Sequence, residues 1–479
     1  METLDLRVRP DELTAPIVNR SQVLVVGGGP AGVAAAVTAA RSGASVTLLE
    51  RYSYLGGLAS GGMVLVLDDM VNGPEITVTG IVSEYVERLQ AQGLAVVPPA
   101  EDRRTSQELW NKWGRFGTFD FHSHSTPKPI CYAAAFDPDG WKRVSNELVR
   151  EAGVTLRLHS WFSRPIVEDG VMKGVVVETK AGPQAFLADV VIDTTGDIDV
   201  ASRAGAKFAH DSYITTLVFR LGGVDTAEAE RFEQENPKEA RAINRRIKRL
   251  LGGAWELWWL KTPLEGVVWC NAPHMTGFDG VDPADLTAAE FAARDRIAEA
   301  VAYVKGNLPG FANAYIVDAA PQLGVRQTRL LEGEYVMTKE DVVSRRHFAD
   351  SVARGRDYYY PYRSLLPREV DQLLVAGRHY SATPEAQKMS REIPPCMAMG
   401  QAVGVASALA VANGTLVRDV SPIDIQAAMR RQGADPGDVP SSNATLDDGA
   451  VPDRANRTGA TDDGAAHLGA GSDFAEVGA

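Results

Sequence analysis

The stretch Val23-Leu24-Val25-Val26-Gly27-Gly28-Gly29-Pro30-Ala31-Gly32 constrains the chain more than any other. Its four apolar residues, three of them β-branched, read as a strand buried on both faces of a parallel sheet. The glycines then turn the chain into an Ala-rich helix. In such a turn Gly27 permits the tight bend, Gly29 lets a diphosphate approach the backbone, and Gly32 lets helix and strand pack closely. The helix start offers free N–H groups and partial positive charge to that diphosphate. A second apolar strand, 44–49, ends on Glu50, placed to accept hydrogen bonds from ribose hydroxyls. A carboxylate there repels a 2′-phosphate, which argues against NADP. The motif alone admits NAD or FAD, and its plainest alternative is a tight turn that binds nothing.

The residues after Glu50 favour the larger ligand. Arg51 leads to Leu55-Gly56-Gly57-Leu58 and then Gly61-Gly62. Glycine pairs suit a backbone that passes close to a flat isoalloxazine, although a flexible surface loop reads the same way. No His or Cys stands in 51–62 to attach a flavin covalently. A helix is expected at 139–152, then strands near 154–161, 164–168, 171–180 and 184–193. The last runs into Asp193-Thr194-Thr195-Gly196-Asp197, returning the chain to the parallel sheet through an antiparallel meander. Far downstream, a strand ends on Gly377-Arg378. A Gly- and Ala-rich helix after Pro394-Pro395 carries Met399 and Gln401. Its N-terminus is suited to stabilise negative charge on a reduced flavin's N1–C2=O edge.

A chain of 479 residues exceeds one simple core. The expected fold is α/β: a Rossmann-like cofactor domain in two parts, 20–207 and 319–432, with a mixed α/β substrate domain inserted at 208–318. Residues 433–479 have the Gly-, Asp- and Ser-rich composition of a disordered tail. That tail holds nine acids against Arg454 and Arg457, so it supplies over half of the net charge of −13. The remainder is bland and lacks the basic face that nucleic acid requires. No run of 18 apolar residues and no apolar leader is evident, so neither a membrane span nor export is expected, and the cytoplasm is the expected location. Cys131, Cys270 and Cys396 form no CxxC, which argues against a thiol–disulfide reductase and an iron–sulfur site.

Acid–base candidates are His122 and His124, in an aromatic insert over 100–131, together with Tyr335 and His379. Histidine titrates nearest to working pH. The His122/His124 pair has metal-ligand types, but no further ligand cluster follows, so no metal is expected. Arg326, Arg329 and Arg391 are suited to anchor an anionic or carbonyl group, the alternative for Arg326 and Arg329 being a salt-bridged strand pair. Trp255, Trp258, Trp259 and Trp269 read as core and lid packing, or as a substrate-stacking set.

Five blocks now stand together: Val25–Gly32, Glu50 with Leu55–Gly57, Asp193–Asp197, Gly324–Arg329 with Gly333–Tyr335, and Leu374–Arg378 through Cys396–Ala402. In these the chain resembles the FAD-dependent oxidoreductase family of two-dinucleotide-fold flavoproteins, distantly related to fumarate reductases and glutathione-reductase-like enzymes. The resemblance implies non-covalent FAD lying extended across the fold. Gly27, Gly29, Pro30, Ala31 and Gly32 would meet the diphosphate and Glu50 the adenosine ribose. Gly56, Gly57, Gly377, Arg378 and the helix after Cys396 would flank the ribityl chain and flavin. Arg51, Leu58, Gly196, Asp197, Met399 and Gln401 complete the implied contacts. Two departures stand out: Arg378 replaces the acid of many glutathione-reductase-type relatives, and the His-rich attachment loop of fumarate reductases is missing. The implied activity is hydride transfer between a small organic substrate and flavin N5, in either direction and with an unspecified electron acceptor. Alternatives are a flavin oxidase or monooxygenase, or a flavin-bearing electron-transfer subunit. A homo-oligomer is compatible with all of these.

Overall fold

The opening strand, β1 (Ile17–Val26), lies inside a seven-stranded sheet in the computed structural model, which describes residues 14–72, 75–119, 129–131, 134–255, 257–441 and 444–446. On one side it pairs in parallel with β2 (Val46–Leu49), and β2 pairs in parallel with β3 (Thr155–Arg157). On its other side runs β6 (Gly182–Asp193), also parallel, with Val23 opposite Val190 and Val26 opposite Asp193. Val23, Leu24 and Val25 are fully buried, as an interior parallel strand requires.

The long strand β6 has two partners along its far edge. Its first half pairs antiparallel with β5 (Val171–Thr179), which pairs with β4 (Trp161–Glu168). Its last residues, Val191–Asp193, pair in parallel with β7 (Leu373–Val375). The expected meander is therefore β4–β5–β6, and the two strands expected over 154–168 are β3 and β4, the first of which pairs with β2 instead of joining the meander. Pro165 is tolerated because β4 is an edge strand that needs no donor on its outer side.

Helix α1 (Pro30–Arg41) follows β1, with Pro30 at its first position, where a missing N–H costs nothing. A short helix α2 (Gly57–Ser60) follows β2, and α3 (Pro138–Glu151) precedes β3, its start capped by Asp137. Helix α4 (Ile393–Asn413) packs across α1 at backbone contact. A Cβ on Gly400 would stand 2.2 Å from Ala31 O, and one on Gly404 2.4 Å from Ala35 O. By length and mean hydropathy α4 is the one helix among the described residues that could cross a membrane, although Gln401 and Ser407 interrupt its apolar run. Its apolar window is 83% buried within the protein, the placement of a core helix.

Residues 208–318 contribute a four-stranded antiparallel sheet, in the order Trp259–Lys261, Val268–Cys270, Phe219–Gly222, Tyr315–Ala319. Helices Thr226–Glu235, Pro237–Leu250 and Pro283–Asn307 accompany it. Other strands cross the expected boundary: Phe208–His210 pairs with Arg329–Leu331, and Thr215–Thr216 with Gly324–Val325. The cap is built into one compact unit that runs to Asp447 and is not a body of its own. Trp258 and Trp259 are core residues and Trp269 is buried, whereas Trp255 is exposed.

Ordered structure continues beyond the boundary that composition suggests at 432. Ala434 is buried, Asp435 pairs with Arg354 at 2.9 Å, and Thr445–Leu446 lies in parallel beside Arg346–His347. Gly and Asp here terminate the preceding helix and form ion pairs, so order extends past 432. Residues 447–479 lie outside the described residues.

Candidate active site

A cleft of about 630 Å³ opens at the carboxyl ends of β1, β2, β6 and β7. Open parallel sheets place ligands there, where the strand order reverses. The β1–α1 turn shows why glycine is required. Gly27 has φ +106°, and a Cβ on it would meet Thr194 O at 2.4 Å; on Gly32 it would stand 1.8 Å from Gly27 O. Gly29 caps α1 without any side-chain hydrogen bond, leaving the first-turn N–H groups to a ligand.

Glu50 closes one end of the turn. Gly28 N donates to its Oε2 at 2.6 Å and Tyr52 N to its Oε1 at 2.8 Å. Burial pushes its carboxyl pKa up, and these backbone bonds and Arg51 offset only part of that. Across the cleft, Asp193 is fully buried and accepts from Thr195 N and Oγ1 and from Val200 and Ala201 N, at 2.7–3.0 Å. Burial alone would raise its pKa. The neighbouring His379, with Nε2 3.6 Å away, and the backbone donors reverse this and hold it below the usual range. Asp197 behaves likewise: burial raises it, but Arg378, whose Nη2 stands 2.8 Å away, and the Thr328 hydroxyl lower it further. The cation that departs from the relatives' pattern thus pairs with an acid of the returning strand. Arg378 Nε, His379 Nδ1 and Arg329 Nε are buried in the cleft wall without hydrogen-bond partners.

Of the residues singled out in the sequence, Gly27, Gly29, Pro30, Ala31, Glu50, Arg51, Gly57, Leu58, Gly196, Asp197, Gly377 and Arg378 line this cleft, together with His379, Arg329 and Arg391. Gly32 and Gly56 lie behind the wall, where a Cβ on Gly56 would strike Trp141 and Ser60. Met399 and Gln401 face the core instead of the cleft. Met399 is fully buried, and Gln401 Oε1 accepts from Ile81 N at 3.1 Å. Tyr335 is also elsewhere: its hydroxyl donates to Asp341 Oδ2 at 2.9 Å, within the capping box of the helix Lys339–Val343. His122 and His124 lie outside the described residues.

The three arginines differ. Arg329 is committed to Asp199 (2.6 Å) and Ser202 (3.1 Å). Arg391 lines the cleft beside Glu392, 3.5 Å away. Arg326 donates to neutral groups, Thr216 Oγ1 at 3.3 Å and Asn271 Oδ1 at 3.5 Å, and meets His274 Nε2 at 3.1 Å. Sequence reasoning missed His274, Asn271 and Gln322, which follow no motif, and Trp161 and Arg203, which sit on and beside the meander. Cys396 lines the cleft, but burial pushes its thiol up to about 12, so it stays protonated.

No curated protein is similar enough in sequence to count as a relative. Among solved structures the chain is similar to a geranylgeranyl bacteriochlorophyll reductase-like protein from Thermoplasma acidophilum, at 15% identity over 86% of this chain and 83% of that one, TM-score 0.43. It is similar to the p-nitrophenol 4-monooxygenase of Pseudomonas putida at 15% identity, over 86% and 84%, TM-score 0.46. A flavin-dependent brominase is similar at 14% identity, over 87% and 84%, TM-score 0.46. The family described as FAD dependent oxidoreductase matches residues 22–359 and 354–429, nearly the whole described chain. The chain belongs to the FAD-dependent oxidoreductase family, and FAD is its cofactor.

Proposed function

We propose that the chain oxidises or reduces a small organic molecule by hydride exchange with non-covalently bound FAD. The observation supporting this reading is the continuity of the cleft. It runs from Glu50 and Gly29, past Gly377 and Arg378, to Arg391, Ile393 and Cys396 at the start of α4. A site that held only a dinucleotide's adenine half would stop at the first turn.

The residues fit FAD. Gly29 and Gly57 face each other so closely that a Cβ on Gly57 would stand 2.9 Å from Gly29 Cα, a cradle shaped for backbone contact with a diphosphate. The open start of α1 would hold that diphosphate, and Glu50 the ribose hydroxyls through its remaining lone pairs. Arg378 Nε and His379 Nδ1 supply polar atoms without partners farther along. Bound FAD supplies two-electron redox chemistry; the protein supplies position, dryness and electrostatics. The N-terminus of α4, where Ile393 and Cys396 line the cleft, would offer partial positive charge to a flavin's ring edge. Cys396, held as a thiol, is unsuited to a disulfide relay.

The second reading is a flavin oxidase or monooxygenase. It draws support from the single glycine-rich strand–turn–helix in the sequence. The lack of a second such turn counts against a two-nucleotide reductase, and dioxygen is an acceptor that needs no nucleotide site.

The test is an anaerobic screen of the FAD-loaded protein against alcohols, acids, sugars and amines, followed by absorbance. Bleaching of the flavin by an organic donor without oxygen is the expected result. Reduction by NAD(P)H alone, with oxygen consumed only when substrate is present, would overturn hydride transfer from substrate in favour of the second reading.

A further inference from the structure

Asp193 ends β6 fully buried, and its one ion-pair partner among the described residues is His379, whose Nε2 stands 3.6 Å from Oδ1. The same Nε2 lies 3.3 Å from the Asp193 carbonyl oxygen, which can only accept. Nε2 therefore carries a proton in either charge state of the ring, and the charge is decided at Nδ1. Nδ1 is buried with no hydrogen-bond partner, on a side chain that is 1% exposed and lines the cleft. A Cβ on Gly377 would stand 3.6 Å from Nδ1 and 3.5 Å from Ala31 Cβ, so the unpartnered edge of the imidazole adjoins the first turn of α1. There the uncapped helix start would hold the FAD diphosphate.

A neutral ring would turn the Nδ1 lone pair toward a diphosphate that itself offers only lone pairs. An imidazolium donates at both nitrogens, to Asp193 on one side and to a phosphate oxygen on the other. Two flanking negative groups favour that cation. The other charges around the ring are matched: Asp197 with Arg378 at 2.8 Å, and Asp199 with Arg329 at 2.6 Å and Arg51 at 4.0 Å. From α1, residues 30–36 present no ionisable side chain. We propose that His379 binds the FAD diphosphate and takes up a proton as FAD arrives, the imidazolium bridging Asp193 and a phosphate oxygen. An acid–base candidate by type, His379 thus serves the cofactor; the inference rests on FAD lying in this cleft and is independent of the reaction proposed above. By linkage, FAD affinity falls as pH rises through the range in which histidine titrates. Glu50 would answer FAD with the opposite sign, because ribose hydroxyls donating to it favour its ionised form.

The experiment dilutes the holoprotein at a series of pH values from about 6 to about 8.5. FAD fluorescence reports release, and tryptophan fluorescence reports that the chain stays folded. The wild-type dissociation constant should rise by about 10-fold or more across this range, the ceiling for one proton being about 10-fold per pH unit. His379→Gln keeps a donor for the Asp193 carbonyl but does not titrate. Its constant should be higher than wild type at about pH 6 and level from there on. In weakly buffered solution, FAD release from wild type at about pH 7 should acidify an indicator dye, and release from the variant should not. A wild-type constant that is level, as a neutral ring accepting from a ribityl hydroxyl would give, or one that falls with pH, overturns the bridge without any variant. An equal slope in His379→Gln overturns it too. If His379→Gln does not fold, His379→Asn decides in its place. The two readings fail separately. FAD held without proton uptake loses the bridge and leaves the reaction standing, whereas proton-linked FAD that no organic donor reduces keeps the bridge and loses the reaction.

Discussion

The Gly28 amide donates to Glu50 Oε2 at 2.6 Å, tying the glycine turn to the end of the neighbouring strand. The other carboxylate oxygen takes the Tyr52 amide at 2.8 Å. Both oxygens are therefore needed as acceptors before any ribose arrives. Glu50→Gln keeps the size but turns one acceptor into a donor that faces an N–H. A charge-assisted hydrogen bond of about 1.5–3 kcal/mol is lost, so FAD affinity should fall roughly 10- to 100-fold, read by fluorescence on dilution of the holoprotein.

Gly32→Ala tests the strand–helix contact. Its Cβ would stand 1.8 Å from Gly27 O, a backbone atom with no room to retreat. Overpacking of this kind costs about 1–3 kcal/mol. The melting temperature should drop and the purified protein should lose its yellow colour. A colourful, undiminished Gly32→Ala protein would show that the turn is looser than these distances.

The pair Arg378–Asp197 carries a pH signature. Asp197 has a folded pKa below its unfolded value, so its contribution to stability is present above about 4 and is lost as pH falls through the folded value. In Arg378→Met the carboxylate would be left buried without its cation, at a cost of about 3 kcal/mol at pH 7. The gap between wild type and variant should be widest at neutral pH and close as the solution is acidified. Urea unfolding at pH 7 and at pH 3 or below measures it.

Asp69 makes the opposite prediction. It is buried at φ +68°, accepts from the Tyr358 hydroxyl, and has its pKa raised to about 7, chiefly by burial. A raised carboxyl pKa favours the protonated folded state, so this contribution is complete below about 4 and fades as pH rises through about 7. Asn accepts the same hydrogen bond, tolerates the left-handed backbone and never ionises. Wild type should therefore lose melting temperature relative to Asp69→Asn between pH 5 and 8. Parallel curves would place the Asp69 pKa in the ordinary range.

What could be read in advance was local. The β1 turn, α1, the meander and the Pro394–Pro395 helix start announce themselves through periodicity, glycine spacing and caps, each within a short window. What was missed depends on pairing across the chain. Arg378 and Asp197 lie 181 positions apart, so neither could be recognised as the other's counterion. Tyr335 looked catalytic by type, but its partner Asp341, six positions on, makes it part of a helix cap. The special standing of His379 comes from the partner its Nδ1 lacks, and only a folded neighbourhood reveals a missing partner. The tail misled through composition: Asp435, met in a run of Gly and Pro, is neutralised by Arg354 81 positions earlier.

The backbone-to-backbone crossing of α1 and α4 also bears on the order of assembly. Thr38 Oγ1 donates to Gln401 O across 363 positions. Synthesis proceeds at about 5–20 residues per second, so the first glycine turn waits on the order of tens of seconds for its partner helix. During that interval the apolar side of α1 has no lasting cover, and cofactor capture belongs to the end of translation. A nascent chain stopped before Ile393 would carry the whole N-terminal glycine motif and still be unable to retain FAD.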